Sequence, residues 1–142
     1  MPKMSENSKQ GGCQCGALRY QTTTSPVRVM ACHCTACKRR TGAPYGVGVY
    51  FNEDEVEFTA GNSRTYEFKS DTSGRWMKNK FCPNCGTAVS WTLEMRPGLV
   101  GIAGGTFDDP NWYTIDGHIW TRSARHDMCY PDAMPVHEKA MS

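Results

Sequence analysis

The chain contains the stretch Phe81-Cys82-Pro83-Asn84-Cys85-Gly86-Thr87, a Cys-Pro-x-Cys-Gly loop of the kind that holds a structural zinc ion. The proline fixes the turn, and the glycine lets backbone N–H groups approach the sulfurs. A redox Cys-x-x-Cys motif is expected to open a helix, whereas the strand-like residues 88–91 follow this loop. The pattern therefore favours a metal site over a redox pair.

A second pair of cysteines can complete this site. It lies in Gly12-Cys13-Gln14-Cys15-Gly16, where a Cys-x-Cys turn can direct two sulfurs at one metal. The expected structural zinc ligands are the four cysteines Cys13, Cys15, Cys82 and Cys85. Because metal binding is linked to folding, chelation is expected to destabilise the whole domain.

A third group of cysteines has the form Cys32-His33-Cys34-Thr35-Ala36-Cys37 and offers three ligands from one loop. Three protein ligands with a vacant position are typical of a catalytic zinc site. Two alternatives stay open: His33 or Cys129 supplies a fourth ligand and makes the site structural, or the cysteines are reduced and metal-free.

The charge of such an open site favours thiol chemistry over hydrolysis. A Zn²⁺ ion with three thiolates is a weak Lewis acid, yet it can bind and deprotonate a substrate thiol. The basic run Lys38, Arg39 and Arg40 follows directly and can hold the carboxylates of an anionic thiol. The alternative is that this run is solvated surface.

The composition sets limits on the class of protein. The 142 residues suit one compact domain, and the net charge of +2 gives no reason to expect a nucleic-acid partner. No apolar run is long enough to cross a membrane, and the polar N-terminus does not resemble a secretory signal, so we expect a cytoplasmic protein. Seven of the eight cysteines fall into three tight groups, which indicates metal ligands rather than disulfides.

Alternating apolar and polar residues predict a mainly β chain. We expect a tail over 1–10, one zinc-binding domain over 11–136 and a tail over 137–142. Helical turns are expected at 34–41 and near the C-terminus. The expected strands lie at 18–21, 27–31, 47–51, 65–68, 87–92, 99–103 and 113–120.

The three cysteine motifs, in this order, resemble the glutathione-dependent formaldehyde-activating enzyme family, which includes centromere protein V. The later segments Gly105-Thr106-Phe107-Asp108 and Gly117-His118-Ile119-Trp120-Thr121 are also similar, so the resemblance extends from about Gly12 to Pro135. The chain departs from the family at 125–130, where an aromatic residue, commonly Trp, is expected.

The resemblance implies a β-tent fold, two zinc ions and a carbon–sulfur lyase that joins formaldehyde to glutathione as S-(hydroxymethyl)glutathione. By position it assigns Cys32, Cys34 and Cys37 to the catalytic site and the other four clustered cysteines to the structural site. His33 matches the family's intervening histidine, and strand alternation would point it away from its neighbours. The oligomeric state stays open, a homo-oligomer included.

Two other functions compete with the enzyme: a non-catalytic zinc module that binds a partner, and a thiol–disulfide switch at Cys34 and Cys37. His126 and Asp127 are either an acid–base pair or an exposed polar loop. Seven ring-bearing residues either line a pocket or pack in the core: Tyr45, Trp76, Trp91, Phe107, Trp112, His118 and Trp120.

Overall fold

The computed structural model describes residues 8–71 and 73–140, and it confirms a mainly β chain with short helical turns. Within these ranges the one α-helix is α1 (Thr35–Thr41), where the sequence predicted a helical turn. The strands are β1 (Lys9–Gly12), β2 (Arg19–Thr22), β3 (Arg28–Cys32), β4 (Gly46–Asn52), β5 (Val56–Ala60), β6 (Arg64–Lys69), β7 (Trp76–Phe81), β8 (Ala88–Leu93), β9 (Leu99–Ala103) and β10 (Gly117–Ile119). None of the helices in the described residues is long and apolar enough to cross a membrane.

The strands form two sheets. The smaller sheet has the order β1-β2-β5 and is antiparallel. The larger sheet has seven strands in the order β10-β3-β4-β9-β8-β7-β6, and it is antiparallel except where β10 runs parallel to β3. Because successive side chains of a strand point to opposite sides, each sheet has two faces made of different residues.

One face of the larger sheet packs on the hydrophobic core that it shares with the smaller sheet. Val29 of β3, Val49 and Phe51 of β4, and Ile102 of β9 are almost fully buried there together with Tyr20 of β2. The neighbouring residues of the same strands point to the opposite face. That opposite face is therefore free to carry a site.

The C-terminal part of the chain differs from the expected strand at 113–120, because only Gly117–Ile119 is a strand. Trp112, Tyr113 and Ile115 pack against the core instead of joining a ladder. The Asp116 carboxylate accepts a hydrogen bond from the Val29 N–H at 2.8 Å, which fixes this segment beside β3. The expected C-terminal helical turn is a 3₁₀ turn at Thr121–Ser123.

The two expected tails lie only partly within the described residues. Residues 1–7 and 141–142 are outside them, whereas Lys9 already begins β1. At the other end, the His137 N–H donates to the His118 carbonyl at 2.9 Å, and the Trp120 N–H donates to the Lys139 carbonyl at 3.3 Å. Residues 137–139 therefore run beside β10.

Candidate metal centres and the adjoining pocket

The four-cysteine cluster joins two loops that are far apart in the sequence. Cys13 and Cys15 lie between β1 and β2, and Cys82 and Cys85 lie between β7 and β8, with all four sulfurs within 4.8 Å of one another. The Sγ atoms of Cys13 and Cys15 are 3.6 Å apart, and those of Cys15 and Cys82 are 3.8 Å apart. Zinc–sulfur bonds of about 2.3 Å in a tetrahedron place sulfurs about 3.8 Å apart. The cluster therefore fits a tetrahedral metal ion such as zinc.

The two loops have matching turns. The Gly16 N–H donates to the Cys13 carbonyl at 3.1 Å, and the Gly86 N–H donates to the Cys82 carbonyl at 2.8 Å. Both glycines have a positive φ, 82° and 81°, which few other residues adopt without strain. The sequence therefore folds each cysteine pair into the same tight turn.

Thr87 connects the two turns. Its hydroxyl lies 3.2 Å from Cys85 Sγ and accepts a hydrogen bond from the Gln14 N–H at 3.1 Å. The hydrogen bond from this hydroxyl, together with backbone N–H groups of Thr87 and Cys15, lowers the pKa of Cys85 to about 5. A thiol with such a low pKa is a thiolate at neutral pH, the form in which cysteine binds metals.

The three-cysteine cluster lies where β3 ends and α1 begins. Cys32 is the last residue of β3, Cys34 is the N-cap residue of α1, and Cys37 lies in its first turn. Their sulfurs lie within 4.8 Å of one another. The Cys37 N–H donates to Cys34 Sγ at 3.4 Å, which is how an N-cap side chain satisfies a free helix donor.

The three neighbouring thiols of this cluster have different pKa values, because they donate hydrogen bonds to one another. Hydrogen bonds from the Cys32 and Cys37 thiols, in that order of strength, lower the pKa of Cys34 to about 3. The same interactions raise the pKa of Cys32 far above its usual value. Without a bound cation, Cys34 is therefore a thiolate, and Cys32 and Cys37 keep their protons. A bound metal ion would allow all three to be thiolates.

No fourth ligand completes this cluster among residues 8–71 and 73–140. Apart from Cys32, Cys34 and Cys37, no His, Cys, Asp or Glu of those residues places a ligand atom in this cluster. His33 is buried and points elsewhere, since its Nε2 lies 2.9 Å from Nδ1 of the buried His118. Burial in turn lowers the pKa of both imidazoles. Cys129 is exposed and lies outside the group.

The three basic residues after the cluster have different surroundings. The Lys38 ammonium donates to the Ser123 carbonyl at 2.5 Å and connects α1 to the 3₁₀ turn. Arg39 is exposed. Arg40 stacks on the Trp91 ring with its guanidinium carbon 4.0 Å from the ring centroid, and its buried Nη2 has no hydrogen-bond partner. Of the three, Arg40 therefore offers a desolvated positive charge.

A pocket of about 400 Å³ opens over the three-cysteine cluster. Cys32, Cys34 and Cys37 all line it, so the cluster forms part of its wall. The pocket lies on the face of the larger sheet that points away from the core, because Arg28, Met30 and Cys32 line it and alternate with the buried Val29 of β3.

Glycines on this face make room for the aromatic floor of the pocket. A Cβ atom at Gly101 would lie 2.5 Å from the Trp91 ring, and one at Gly48 would lie 2.9 Å from it. The Trp91 ring therefore lies flat on β4 and β9, and its Nε1 donates to the Tyr50 hydroxyl at 3.2 Å. Sequence patterns showed the strands but could not show which strand glycines accept a ring.

The ring-bearing residues that the sequence singled out have separate places. Trp76, Trp91 and Trp120 line the pocket. Phe107 is in the core, with Trp112 packed against it. Tyr45 lies against the His33 and His118 rings. Tyr50 and Met30, which no sequence signal indicated, also line the pocket.

The loop that contains His126 and Asp127 is exposed. The Asp127 carboxylate accepts two hydrogen bonds from the Arg125 guanidinium, both at 2.9 Å. This pairing lowers the pKa of Asp127. The structure therefore places Asp127 with an arginine on the surface, as expected for the polar loop.

These features define a mainly β protein with two cysteine clusters that can hold metal ions, one of them open to a pocket. The sequence profile described as "Glutathione-dependent formaldehyde-activating enzyme" matches residues 8–123. The chain belongs to this family, which indicates an enzyme that acts on formaldehyde with glutathione.

The fold is similar to that of a solved relative. A crystal structure of a Rhodobacter sphaeroides protein aligns with a TM-score of 0.55 at 21% identity, and the alignment covers 70% of this chain and 87% of that chain. At this identity the likeness supports the fold alone. No curated protein matches the sequence significantly.

Proposed function

We propose that the protein is a zinc-dependent carbon–sulfur lyase and synthase that acts on a thiol such as glutathione and a small electrophile such as formaldehyde. In the synthetic direction the thiol sulfur bonds to the carbonyl carbon, and the electron pair of the C=O π bond moves to oxygen. That oxygen gains one proton as the thiol loses one, so no oxidant or reductant is required. The reverse reaction breaks the carbon–sulfur bond of S-(hydroxymethyl)glutathione.

The observation that carries this proposal is the position of the three-cysteine cluster in the wall of a pocket. With three sulfurs and no fourth ligand in the described residues, Cys32, Cys34 and Cys37 would hold a zinc ion that keeps a position free for a substrate. When bound there, zinc supplies a positive charge that coordinates the sulfur of a substrate thiol and keeps that thiol deprotonated at neutral pH. The other cluster, Cys13, Cys15, Cys82 and Cys85, would hold a structural zinc.

Tyr50 in the pocket wall and Arg40 beside the cluster provide further polar groups. Burial raises the pKa of Tyr50, so its hydroxyl keeps its proton. Because this hydroxyl already accepts from Trp91 Nε1, its O–H can donate to the oxygen of a bound carbonyl compound. The Arg40 guanidinium and the Cys37 side chain both lie next to Gly46. The positive charge of Arg40 would therefore balance part of the negative charge of a three-thiolate site.

The eight free cysteines suit a reducing compartment, and we place the protein in the cytoplasm.

The competing function is a zinc module that binds a partner without catalysis. It requires four protein ligands at both metals, whereas three sulfurs at the pocket leave a position for an exchangeable ligand. X-ray absorption at the zinc edge separates the two. We expect two metals per chain with an average of fewer than four sulfurs each, and four sulfurs at both metals would favour the binding module.

The enzymatic function can be tested by NMR exchange spectroscopy on an equilibrium mixture of glutathione, formaldehyde and S-(hydroxymethyl)glutathione. This method measures the rate of interconversion in both directions. The spontaneous rate, measured in the same mixture without protein, is subtracted. We expect the holoprotein to accelerate the exchange in proportion to its concentration. An exchange rate equal to that of the protein-free mixture, at full metal occupancy, would contradict the proposal.

Removal of the Arg40 charge is expected to weaken the three-cysteine site. In Arg40→Met the apolar stem still covers Trp91, but the cation beside Cys37 is lost, so we expect a decrease of about tenfold to a hundredfold in affinity for the second zinc. Competition with a chromophoric chelator measures this affinity. Arg39→Met is the matched control, because Arg39 is the exposed neighbour on the same helix. Equal affinities in the two variants would show that Arg40 serves packing alone.

A further inference from the structure

The pocket beside the three-cysteine cluster is larger and more apolar than formaldehyde requires. Its volume of about 400 Å³ is in the range of cavities that hold drug-sized molecules. Most of its wall is aromatic or aliphatic, including Met30, Trp76, Trp91, Leu93, Leu99 and Trp120. A one-carbon aldehyde covers almost none of this surface, and glutathione, a polar peptide with two carboxylates and an ammonium group, has little apolar surface to place against it, so the wall indicates a larger apolar group in the substrate.

Apart from the three cysteines, the charged residues of the pocket are all basic. Arg28, Arg75 and Arg96 line it, and no Asp or Glu is among its lining residues in the described parts of the chain. Arg75 is already paired with Glu94 at 3.2 Å. Arg28 carries a positive charge at the start of β3. An anionic group is therefore the complement of the part of the pocket around Arg28, where the wall offers a cationic group no counter-charge.

The strand β3 sets the distance between the positive end and the reactive end. Arg28 and Cys32 are four residues apart on the same strand face, with Met30 between them. At about 3.3 Å per residue their Cα atoms are about 13 Å apart. A ligand that contacts both ends thus has a reactive group at one end, an anion at the other and an apolar body over Met30.

The backbone of Trp120, in the pocket wall, has an unusual conformation. Trp120 has φ 57° and ψ 36°, a left-handed conformation that is rare for a bulky residue. Strained residues of this kind cluster at ligand-binding sites, where the surrounding structure holds them. The guanidinium carbon of Arg122 lies 5.2 Å from the centroid of the Trp120 ring, and this contact helps to keep the indole in the pocket wall.

We propose that this enzyme accepts, besides formaldehyde, an aromatic or similarly bulky apolar aldehyde that carries a carboxylate at the end of its body opposite the carbonyl group. Its body lies on the tryptophan wall, its carboxylate faces Arg28, and its carbonyl carbon lies at the three-cysteine cluster. There the thiol sulfur bonds to that carbon, the π pair moves to oxygen, and the oxygen gains a proton as the thiol loses one. This inference rests on the proposed function and names its substrate class.

The test uses the zinc-loaded protein and two probes, 4′-formylbiphenyl-4-carboxylate and its methyl ester. They share the apolar body and differ in charge. Calorimetric titration in the absence of a thiol measures binding without turnover, and we expect the carboxylate to bind about tenfold more tightly than the ester. The preference should vanish in Arg28→Gln. It should persist in Arg64→Gln, an exposed arginine on β6 outside the pocket.

Turnover is then measured with glutathione and either the carboxylate probe or formaldehyde. A higher kcat/KM for the probe supports the proposal. Accelerated exchange of formaldehyde without measurable binding of the probe would overturn the substrate class and leave the proposed function intact. Binding of the probe without accelerated exchange of any aldehyde would instead overturn the proposed function, and this inference with it. An equal preference for the carboxylate in wild type and Arg28→Gln would also overturn it.

Discussion

Replacement of Cys34 by serine is expected to abolish turnover while the domain stays folded. Cys34 has the most acidic thiol of the three, with a pKa of about 3, and it is the one that accepts hydrogen bonds from the other two. A serine hydroxyl stays protonated at neutral pH and is a poor zinc ligand. Since even the partners of metal ligands contribute tenfold to a hundredfold, we expect kcat to fall by more than about a hundredfold.

The fold of Cys34→Ser should survive because serine keeps the local role of the residue. Cys34 is the N-cap of α1 and accepts the Cys37 N–H, and serine is among the preferred N-cap residues. The matched control is Cys129→Ser, since Cys129 is an exposed cysteine outside both clusters. Exchange spectroscopy and circular dichroism of both variants test the prediction. Full activity in a folded Cys34→Ser protein would remove the catalytic role of this loop.

The cysteine clusters illustrate what a sequence can predict. Ligand spacing is local, so Cys32, Cys34 and Cys37 could be assigned to one loop without knowledge of the fold. The pairing of Cys13 and Cys15 with Cys82 and Cys85 is long-range, yet it followed because a closed zinc site needs four ligands. In the structure the sulfurs of each set lie within 4.8 Å of one another.

One strand that the sequence missed, β7, has lysines at positions where apolar residues were sought. In β7, Lys78 lies over the Trp76 ring at 4.6 Å and Lys80 lies over the Phe58 ring at 5.6 Å. Their aliphatic stems can cover apolar surface while the ammonium groups stay on the aromatic faces. An alternation of apolar and polar letters does not detect such a strand. β1 and β5 were also missed.

The pocket was beyond the reach of sequence patterns for a different reason. Its wall combines residues of β3, β4, β7, β8 and β9 with Ile119 and Trp120, so it depends on the order of strands in the sheet. Gly101 and Trp91 are opposite each other on neighbouring strands, which is why a ring can lie on a glycine there. Such pairs appear only once the register is known.

Removal of the metal from the four-cysteine cluster is expected to unfold the domain, whereas loss of the metal at the three-cysteine cluster should not. The first cluster joins the loop between β1 and β2 to the loop between β7 and β8, and so it connects the two sheets. A structural zinc contributes a binding free energy of about 10–16 kcal/mol, comparable with the total stability of about 5–15 kcal/mol of a small domain. Cys13 and Cys82 are also part of the hydrophobic core, so loss of the metal that they would bind is expected to disturb the packing at the edge of the core.

Stepwise chelation separates the two sites. A mild chelator should first remove one metal per chain and abolish turnover, with little change in the circular dichroism spectrum, because Cys32, Cys34 and Cys37 all lie on one short segment and connect no distant parts. A stronger chelator should then release the second metal together with loss of β-structure. Cys85→Ser should reproduce this second step and lower the melting temperature far more than Cys34→Ser or Cys129→Ser. A metal-free protein that kept the melting temperature of the holoprotein would show instead that the two sheets hold together through their core alone, with the four cysteines dispensable for folding.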